Sequence, residues 1–477
     1  MTVNALNQFR PKLHFAPTEN WMNDPNGMVY FEGEYHLFFQ HNPGDSVWGP
    51  MHWGHAVSKD MITWEELDIA LYPDEYGTIF SGSAIIDWEN TSGFFPDGPG
   101  LVAIFTHHLD KYDGRAPVQT QSLAYSHDRG RTWTKYEGNP VLKHESKVDF
   151  RDPKVFWHKE TNRWMMALAT GQTITFYSST NLKDWQFESE FGNGVGSHLG
   201  VWECPDLFPL QVGDSEETKW VLLVSIGDNP QYSLGSKTQY FVGDFDGTTF
   251  TTEQKETLWL DFGKDNYAGV SFSDIPAEDG RRIYIGWMSN WRYANQVPTD
   301  GWRSQMTLPR KLSLRNVAGK LAVVQHPVEE LQPYLKEDIK SLEVGRSYEV
   351  SEEYLELFVH FKNVDAKVFG LKLDYGMEHS ALIVIDPDQK SVSLEREHSG
   401  QVDFSELFAQ TQQVEVPDVS DITIKVIIDA LSIELFINNG EYSLTSLVFP
   451  KEKCSQVTPF AQSGTVDILE SYINIPK

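Results

Sequence analysis

Three short stretches place an acid at or beside a proline: N-D-P at 23–25, R-D-P at 151–153 and E-C-P-D at 203–206. One such acid is ordinary turn chemistry, because Asp hydrogen-bonds its own backbone and proline presets φ. Here each copy leads into an apolar run, a polar turn and a second apolar run. If the copies are equivalent, Asp24, Asp152 and Glu203 begin equivalent strands and their carboxylates meet in one hollow. Like charges crowded together raise at least one pKa. An ionised carboxylate paired with a protonated one is what scission of a glycosidic bond requires. Asn23 and the turn backbone surround Asp24 with donors that should hold it ionised. Glu203, between Trp202 and Cys204, has an apolar setting that should hold it protonated. Arg151 should keep Asp152 charged, as an acceptor for sugar hydroxyls.

The elements that must position these acids follow from repetition. A polar turn ending in tryptophan recurs as S-K-D-M-I-T-W (58–64), S-H-D-R-G-R-T-W (126–133) and S-S-T-N-L-K-D-W (178–185), with a weaker cousin, D-F-D-G-T-T-F, at 244–250. Repeats of roughly 50–70 residues built from short strands predict propeller blades, and the aromatic-rich first part holds about five. In a propeller the innermost strands line a central channel, so the three acids should ring one end of it. Proline is tolerated at a strand's first residue, where no ladder donor is needed. Trp64, Trp133 and Trp185 are assigned to packing within blades. Gln40, Trp48, Trp53, Phe80, Ser81, Trp287 and Trp291 are candidates for the channel mouth, as stacking faces and hydroxyl readers. His107 and His108 are read as loop surface.

All 15 tryptophans fall at or before Trp302, so the composition changes there. Later segments alternate with period two, as in Y-L-E-L-F-V-H-F and I-T-I-K-V-I-I, and Asn439-Gly440 marks a tight hairpin. The expected fold is all-β: a five-bladed β-propeller over 1–325, a linker with a short helix over 326–342, and a β-sandwich over 343–477.

The formal net charge of -29 disfavours nucleic acid and anionic membrane surfaces as partners, and suits neutral ligands. Two distant cysteines make no disulfide framework. The first ten residues carry no basic and apolar leader pattern, and no apolar run reaches the roughly 18 residues that span a bilayer. A cytoplasmic location is the expectation, with a secreted mature form as the alternative. H-E-x-x-H, paired-Cys, G-x-x-x-x-G-K-[ST], G-x-G-x-x-G and G-x-S-x-G patterns are lacking, so metal, nucleotide and serine-hydrolase chemistry have no anchor. Two rivals remain: a sugar-binding propeller without catalysis, and another glycosidase of like architecture, such as an arabinanase.

At W-M-N-D-P-N-G, F-R-D-P, E-C-P-D and F-S-G-S-A the chain resembles glycoside hydrolase family 32: the invertases, levanases, inulinases and sucrose-6-phosphate hydrolases. Blocks such as W-G-P-M-H-W-G-H-A-V-S-K-D and W-M-S-N-W-R-Y-A-N look most like bacterial levanases, the fructan β-fructosidases, and I-D-A-L-S-I-E-L-F-I-N-N-G looks like the family's C-terminal sandwich. The resemblance implies retaining hydrolysis of terminal β-fructofuranosides in levan, inulin or sucrose. It implies Asp24 as nucleophile, Asp152 as transition-state stabiliser and Glu203 as acid/base. Fructose contacts are implied from Trp21, Met22, Asn23, Gln40, Trp48, Phe80, Ser81, Arg151 and Trp287. No metal or organic cofactor is implied.

Overall fold

The computed structural model describes residues 9–111, 116–231, 235–376 and 378–477. Residues 1–8, which carry most of the leader reading, lie outside these. Five antiparallel sheets follow one another along the chain, each starting from an inner strand: Asn20–Phe31, Thr78–Asp87, Arg151–His158, Trp202–Gln211 and Tyr267–Ser271. These inner strands touch one another in cyclic order, the fifth meeting the first. A parallel bridge between Val29 and Ser273 joins the ring's ends, and Trp302–Arg303 returns to pair with Asn20–Trp21. This is a five-bladed propeller. Among the described residues no helix is long and apolar enough to cross a membrane.

The tryptophan turns have one geometry. Ser58, Ser126 and Ser179 each approach an Asx side chain two residues on, at 3.1, 2.8 and 3.2 Å. The indole Nε1 of Trp64, Trp133 and Trp185 then donates to the carbonyl three residues back, at 3.0, 3.0 and 2.8 Å. The turn is thus a local device that folds each tryptophan back onto its blade.

The remaining strands form two six-stranded sheets packed face to face over an aliphatic core that includes Leu357, Phe369, Ile383, Val426 and Leu435. The segment read as a linker is more structured than that reading. Residues 326–327 end the fifth blade's outer strand, Glu329–Tyr334 form a 3₁₀ turn, and Leu335–Ile339 pair with the C-terminal strand Val466–Pro476.

The junction between propeller and sandwich is charged and buried. On the strand Ser432–Ile437, alternation places Glu434 opposite the sandwich core, on the face that meets the blades. There Glu434 accepts from His14 Nε2 at 2.9 Å, Arg310 Nη2 at 2.8 Å and the Leu308 amide at 2.8 Å. Asp429 takes His14 Nδ1 at 2.8 Å, and Arg310 reaches Asp261 at 3.1 Å. A second set joins Arg396 to Asp265 at 2.5 Å and to the Tyr293 hydroxyl at 2.9 Å. Burial alone would push His14 down, but its two carboxylate partners outweigh it and hold the imidazolium up to about 9. Burial pushes Glu434 up, and Arg310 and His14 overcome this, bringing it to about 2.

The signs fix a pH window. His14 titrates near 6.5 when unfolded, so its contribution is complete below that pH and is lost as pH rises through about 9. Glu434 contributes above its ordinary value of 4.5 and loses that contribution as pH falls towards about 2. Urea-unfolding free energy should therefore drop between pH 6.5 and 9.5, with His14 accounting for about 3 kcal/mol. His14→Gln should flatten that slope. His14→Ala, which strands two buried carboxylates, should cost about 3–5 kcal/mol at pH 6.5.

Candidate active site

In every blade the pairing of the inner strand with its neighbour slips near the strand's start. The slips fall between Met22 and Pro25, Phe80 and Gly82, Arg151 and Lys154, Glu203 and Asp206, and Tyr267 and Val270. A bulge of this kind re-aims side chains towards whatever lies beside the strand. Inside the last three slips, Asp152, Cys204 and Ala268 take positive φ values of 63°, 47° and 53°. Conformations this uncommon for non-glycine residues cluster at functional sites.

Aligning the slips corrects one expectation from the sequence. The last paired residues before the slips are Met22, Phe80, Arg151, Glu203 and Tyr267, and the first residues inside them are Asn23, Ser81, Asp152, Cys204 and Ala268. Glu203 thus occupies the place of Arg151, and Cys204 that of Asp152 and Asn23, while Asp24 lies one position further on, with Pro153 and Pro205. The three acids still converge. Asp24, Asp152 and Glu203 line one hollow of about 350 Å³, together with Asn23, Gln40, Trp48, Phe80, Ser81, Arg151 and Trp291. Cys204 Sγ lies 3.4 Å from Asp24 Oδ2 and 3.6 Å from Asp152 Oδ2, and its amide donates to Asp152 at 3.0 Å.

The hollow is a dead end. Two residues beyond Asp152, Lys154 lines a different cavity at the far end of the channel. Between the two, Lys154 Nζ meets Asp206 at 3.2 Å and the Ser271 carbonyl at 2.7 Å, while Asp206 accepts from the Ser271 amide at 2.6 Å. Ser83 bridges to the third blade at the Pro153 carbonyl and the Val155 amide, both at 2.9 Å. Inter-blade bonds thus plug the channel beneath the acids.

Electrostatics differ from the sequence reading in three ways. Burial, and then the charge of Glu203, push Asp24 upward, against the pull of Asn23 at 3.0 Å, Ser81 at 3.0 Å and Cys204. The Asn23 amide donates as expected, Ser81 and Cys204 stand where turn backbone was expected, and together they are outweighed. Arg151 gives Asp152 only a 4.0 Å contact; its guanidinium is held by Asp149 at 2.5 Å and by Glu203 at 2.9 Å. Burial pushes Asp152 up; Arg151 opposes this and Glu203 and Asp24 reinforce it, leaving it at about 7. Nor is Glu203 in apolar surroundings. Its chain neighbours point elsewhere: Trp202 packs on Phe241 in the blade core and Cys204 points to the aspartates. Glu203 meets Arg151 on one oxygen and the buried Tyr267 hydroxyl on the other. Tyr267 carried no sequence signal, since its blade begins N-Y-A-G-V without acid or proline.

Most candidate contacts reach the hollow. Trp48 stands 45% exposed at its mouth, and Phe80 stacks on His108 at 4.2 Å between ring centres. The Gln40 amide nitrogen is buried and has no partner among the described residues, a donor left open at the wall. Trp21, Met22 and Trp287 do not line it and are fully buried behind it. Trp21 Nε1 donates to Asn23 at 2.7 Å, fixing the amide that holds Asp24, and Trp21 stacks under Trp291 at 5.9 Å. Trp53, expected as a platform, is core as well: it packs on Phe38, and its Nε1 donates to the Phe80 carbonyl at 3.0 Å. His107 and His108 are strand residues, not loop surface. His107 is buried 2.7 Å from Ser122 Oγ, and His108 forms part of the wall.

Comparison with known proteins accords with this geometry. The N-terminal domain of glycosyl hydrolases family 32 matches residues 14–327, and the family's C-terminal domain matches residues 328–474. A levanase from Bacillus subtilis (strain 168) is 45% identical over 96% of this chain and 69% of its own length. The crystal structure of an exo-inulinase from Aspergillus awamori superposes with a TM-score of 0.89 at 34% identity, covering 98% of each chain. A fructofuranosidase from Schwanniomyces occidentalis complexed with fructosylnystose does so with a TM-score of 0.89 at 32% identity, covering 99% of each. With both halves of the sequence and the whole fold pointing one way, the chain belongs to glycosyl hydrolases family 32 and is a glycoside hydrolase of β-fructofuranosidase type.

Proposed function

We propose that the enzyme releases terminal β-fructofuranosyl units from fructans of the levan and inulin types and from sucrose, with retention of configuration. The observation that carries this is the convergence of Asp24, Asp152 and Glu203 at the closed end of a hollow of about 350 Å³. A closed end admits a chain terminus and excludes the middle of a polymer. The levanase, exo-inulinase and fructosylnystose-bound relatives support the substrate class.

In the first step the Asp24 carboxylate attacks the anomeric carbon of the terminal fructosyl unit. The bond to the leaving oxygen breaks as Glu203 delivers its proton to that oxygen. The product is a fructosyl ester on Asp24 and a shortened alcohol. In the second step Glu203, now ionised, takes a proton from water. The resulting oxygen attacks the same carbon and Asp24 departs as carboxylate. Asp152 accepts hydrogen bonds from ring hydroxyls, and Ser81 and Asn23 hold Asp24 in line. Arg151 and Tyr267 fix both oxygens of Glu203, so its rotation between the two roles is small.

Three measurements test this. Glu203→Gln should lower kcat on sucrose by about 10²–10⁴-fold, the usual worth of a positioned general acid; turnover at the parent rate would sink the assignment. Asp24→Asn should abolish turnover yet melt no lower than the parent at pH 8. A buried carboxylate with a raised pKa is most favourable at low pH and costs stability once ionised, and the amide removes that cost. Digests of levan and inulin should yield free fructose alone, and a ladder of oligomers would refute attack at chain ends. Tyr267 does not line the hollow and acts through Glu203 as a positioning residue. Tyr267→Phe should therefore cut kcat about 10- to 100-fold, as expected for one charge-assisted bond, with little change in KM.

A further inference from the structure

At the opposite end of the channel from the acids lies a cavity of about 1070 Å³, roughly three times the volume of the catalytic hollow. Its walls come from the second, third, fourth and fifth blades, and nothing in the proposed reaction uses it. Six tryptophan and phenylalanine rings line it: Trp88, Phe156, Trp157, Trp164, Trp220 and Phe245. Trp88 stands 57% exposed, well above what a packed tryptophan shows. Its ring is nonetheless fixed, because Nε1 donates to Asp274 Oδ1 at 3.0 Å and Asp274 is anchored by the Ile86 amide at 3.1 Å. Phe156 and Trp220 lie 5.7 Å apart and pack together on Phe245. An exposed indole held rigid by a buried carboxylate is a ready stacking face, since no rotamer freedom is left to lose on binding.

The polar groups complete the pattern. Arg282 lies over the Phe208 ring at 4.9 Å, and one nitrogen makes long bonds of 3.3 and 3.4 Å to the Phe272 carbonyl and Ser271 Oγ. No carboxylate lies within ion-pair distance of it among the described residues, so it keeps donors for a ligand in the wall. The rim carries Glu89, Glu160, Asp244 and Asp246. Lys159 also lines it and Lys219 pairs with Asp244 at 3.1 Å, but the rim stays net negative on a chain of net charge -29, which disfavours an anionic ligand and leaves acceptors for hydroxyl groups. Aromatic faces, carboxylate acceptors and a guanidinium donor are the equipment of the catalytic hollow as well, where Trp48, Phe80, Asp152 and Arg151 supply them.

We propose that this far cavity is a second, non-catalytic site for a neutral oligosaccharide, holding an internal stretch of the fructan chain whose ends are cut on the other side. The ligand's identity rests on the function proposed above; the site's existence rests on the fixed indole, the free guanidinium donors and the volume. Its role is to keep a polymer on the enzyme between cuts, so sucrose, too short to be tethered, should not feel it.

The test uses the full chain. In native gels containing levan or inulin, the Glu203→Gln protein should migrate more slowly than in plain gels. Adding Trp88→Ala should relieve that retardation by roughly five- to tenfold in apparent affinity, as expected for loss of one aromatic platform. Thr218→Arg, which crowds the cavity from an exposed position without emptying any core, should do the same. In the otherwise active enzyme, both changes should lower kcat/KM on levan while leaving kcat and KM on sucrose within twofold. Equal retardation with and without the changes, or an unaltered ratio of levan to sucrose turnover, would overturn the proposal. So would retardation by dextran but not by fructans. Sucrose turnover on the same preparations separates the two readings. Its absence in the parent strikes the catalytic assignment, whereas its presence with unretarded migration strikes the second site alone.

Discussion

Three carboxylates that share one sulfur-floored hollow repel one another and resent leaving water, and much of the propeller's inner surface serves to offset that cost. Arg151 supplies the positive charge but gives it chiefly to Asp149 and Glu203, leaving Asp152 to be held by the Cys204 amide. Asp24 is held by Asn23 and Ser81, and Asn23 is in turn fixed by the Trp21 indole. Beneath them the Lys154–Asp206 pair and its bonds to Ser271 tie the third, fourth and fifth blades together. Remove the ring closure and the acids drift apart; remove the plug and water reaches them from below. The same closure that completes the fold therefore sets the electrostatics, which is why both Asp24 and Asp152 titrate above the ordinary carboxylate range.

The sandwich extends this dependence. Its meeting face with the blades sets buried charge among apolar side chains, Ile427 and Phe436 in one cluster with blade residues and Leu431, Leu447 and Phe449 in another, and an incomplete charged network is worse than none. Glu434 and Asp429 are satisfied only when His14, from the segment entering the first blade, and Arg310, from the fifth blade, arrive together. Sandwich and ring thus hold the first and last blades from outside, at the place where a propeller would open.

What could be read from the sequence was whatever repeated. The Ser–Asx–Trp turn is a local hydrogen-bonding unit, so its letters survive from blade to blade and mark the fold. The acids beside proline were legible for the same reason. Their register was not, because E-C-P and D-P align by letter, whereas the bulges align by pairing: Glu203 opposite Ser225, Arg151 opposite Ala169. Neighbours in a strand point to opposite faces, so Trp202 gave no clue to the surroundings of Glu203. Trp53 and Trp48 look alike in sequence, but Trp53 lies within the strand His52–Ser58 and Trp48 in the loop that precedes it. Tyr267 lies in a blade whose start had lost both letters of the pattern. Glu434 and Asp429 fit the polar half of an alternating strand, the half that normally faces solvent, and only tertiary packing shows it covered.

The plug under the acids also dictates the order of traffic. A hollow with a single door holds the fructosyl unit, still esterified to Asp24, behind the very chain it came from. The polymer's new end must back out of the hollow before water can enter and the sugar can follow, so each cut ends with that end withdrawn from the acids. An exo-acting enzyme of this shape cannot ratchet along its substrate, and its pace on long chains is set by how soon the same molecule comes back.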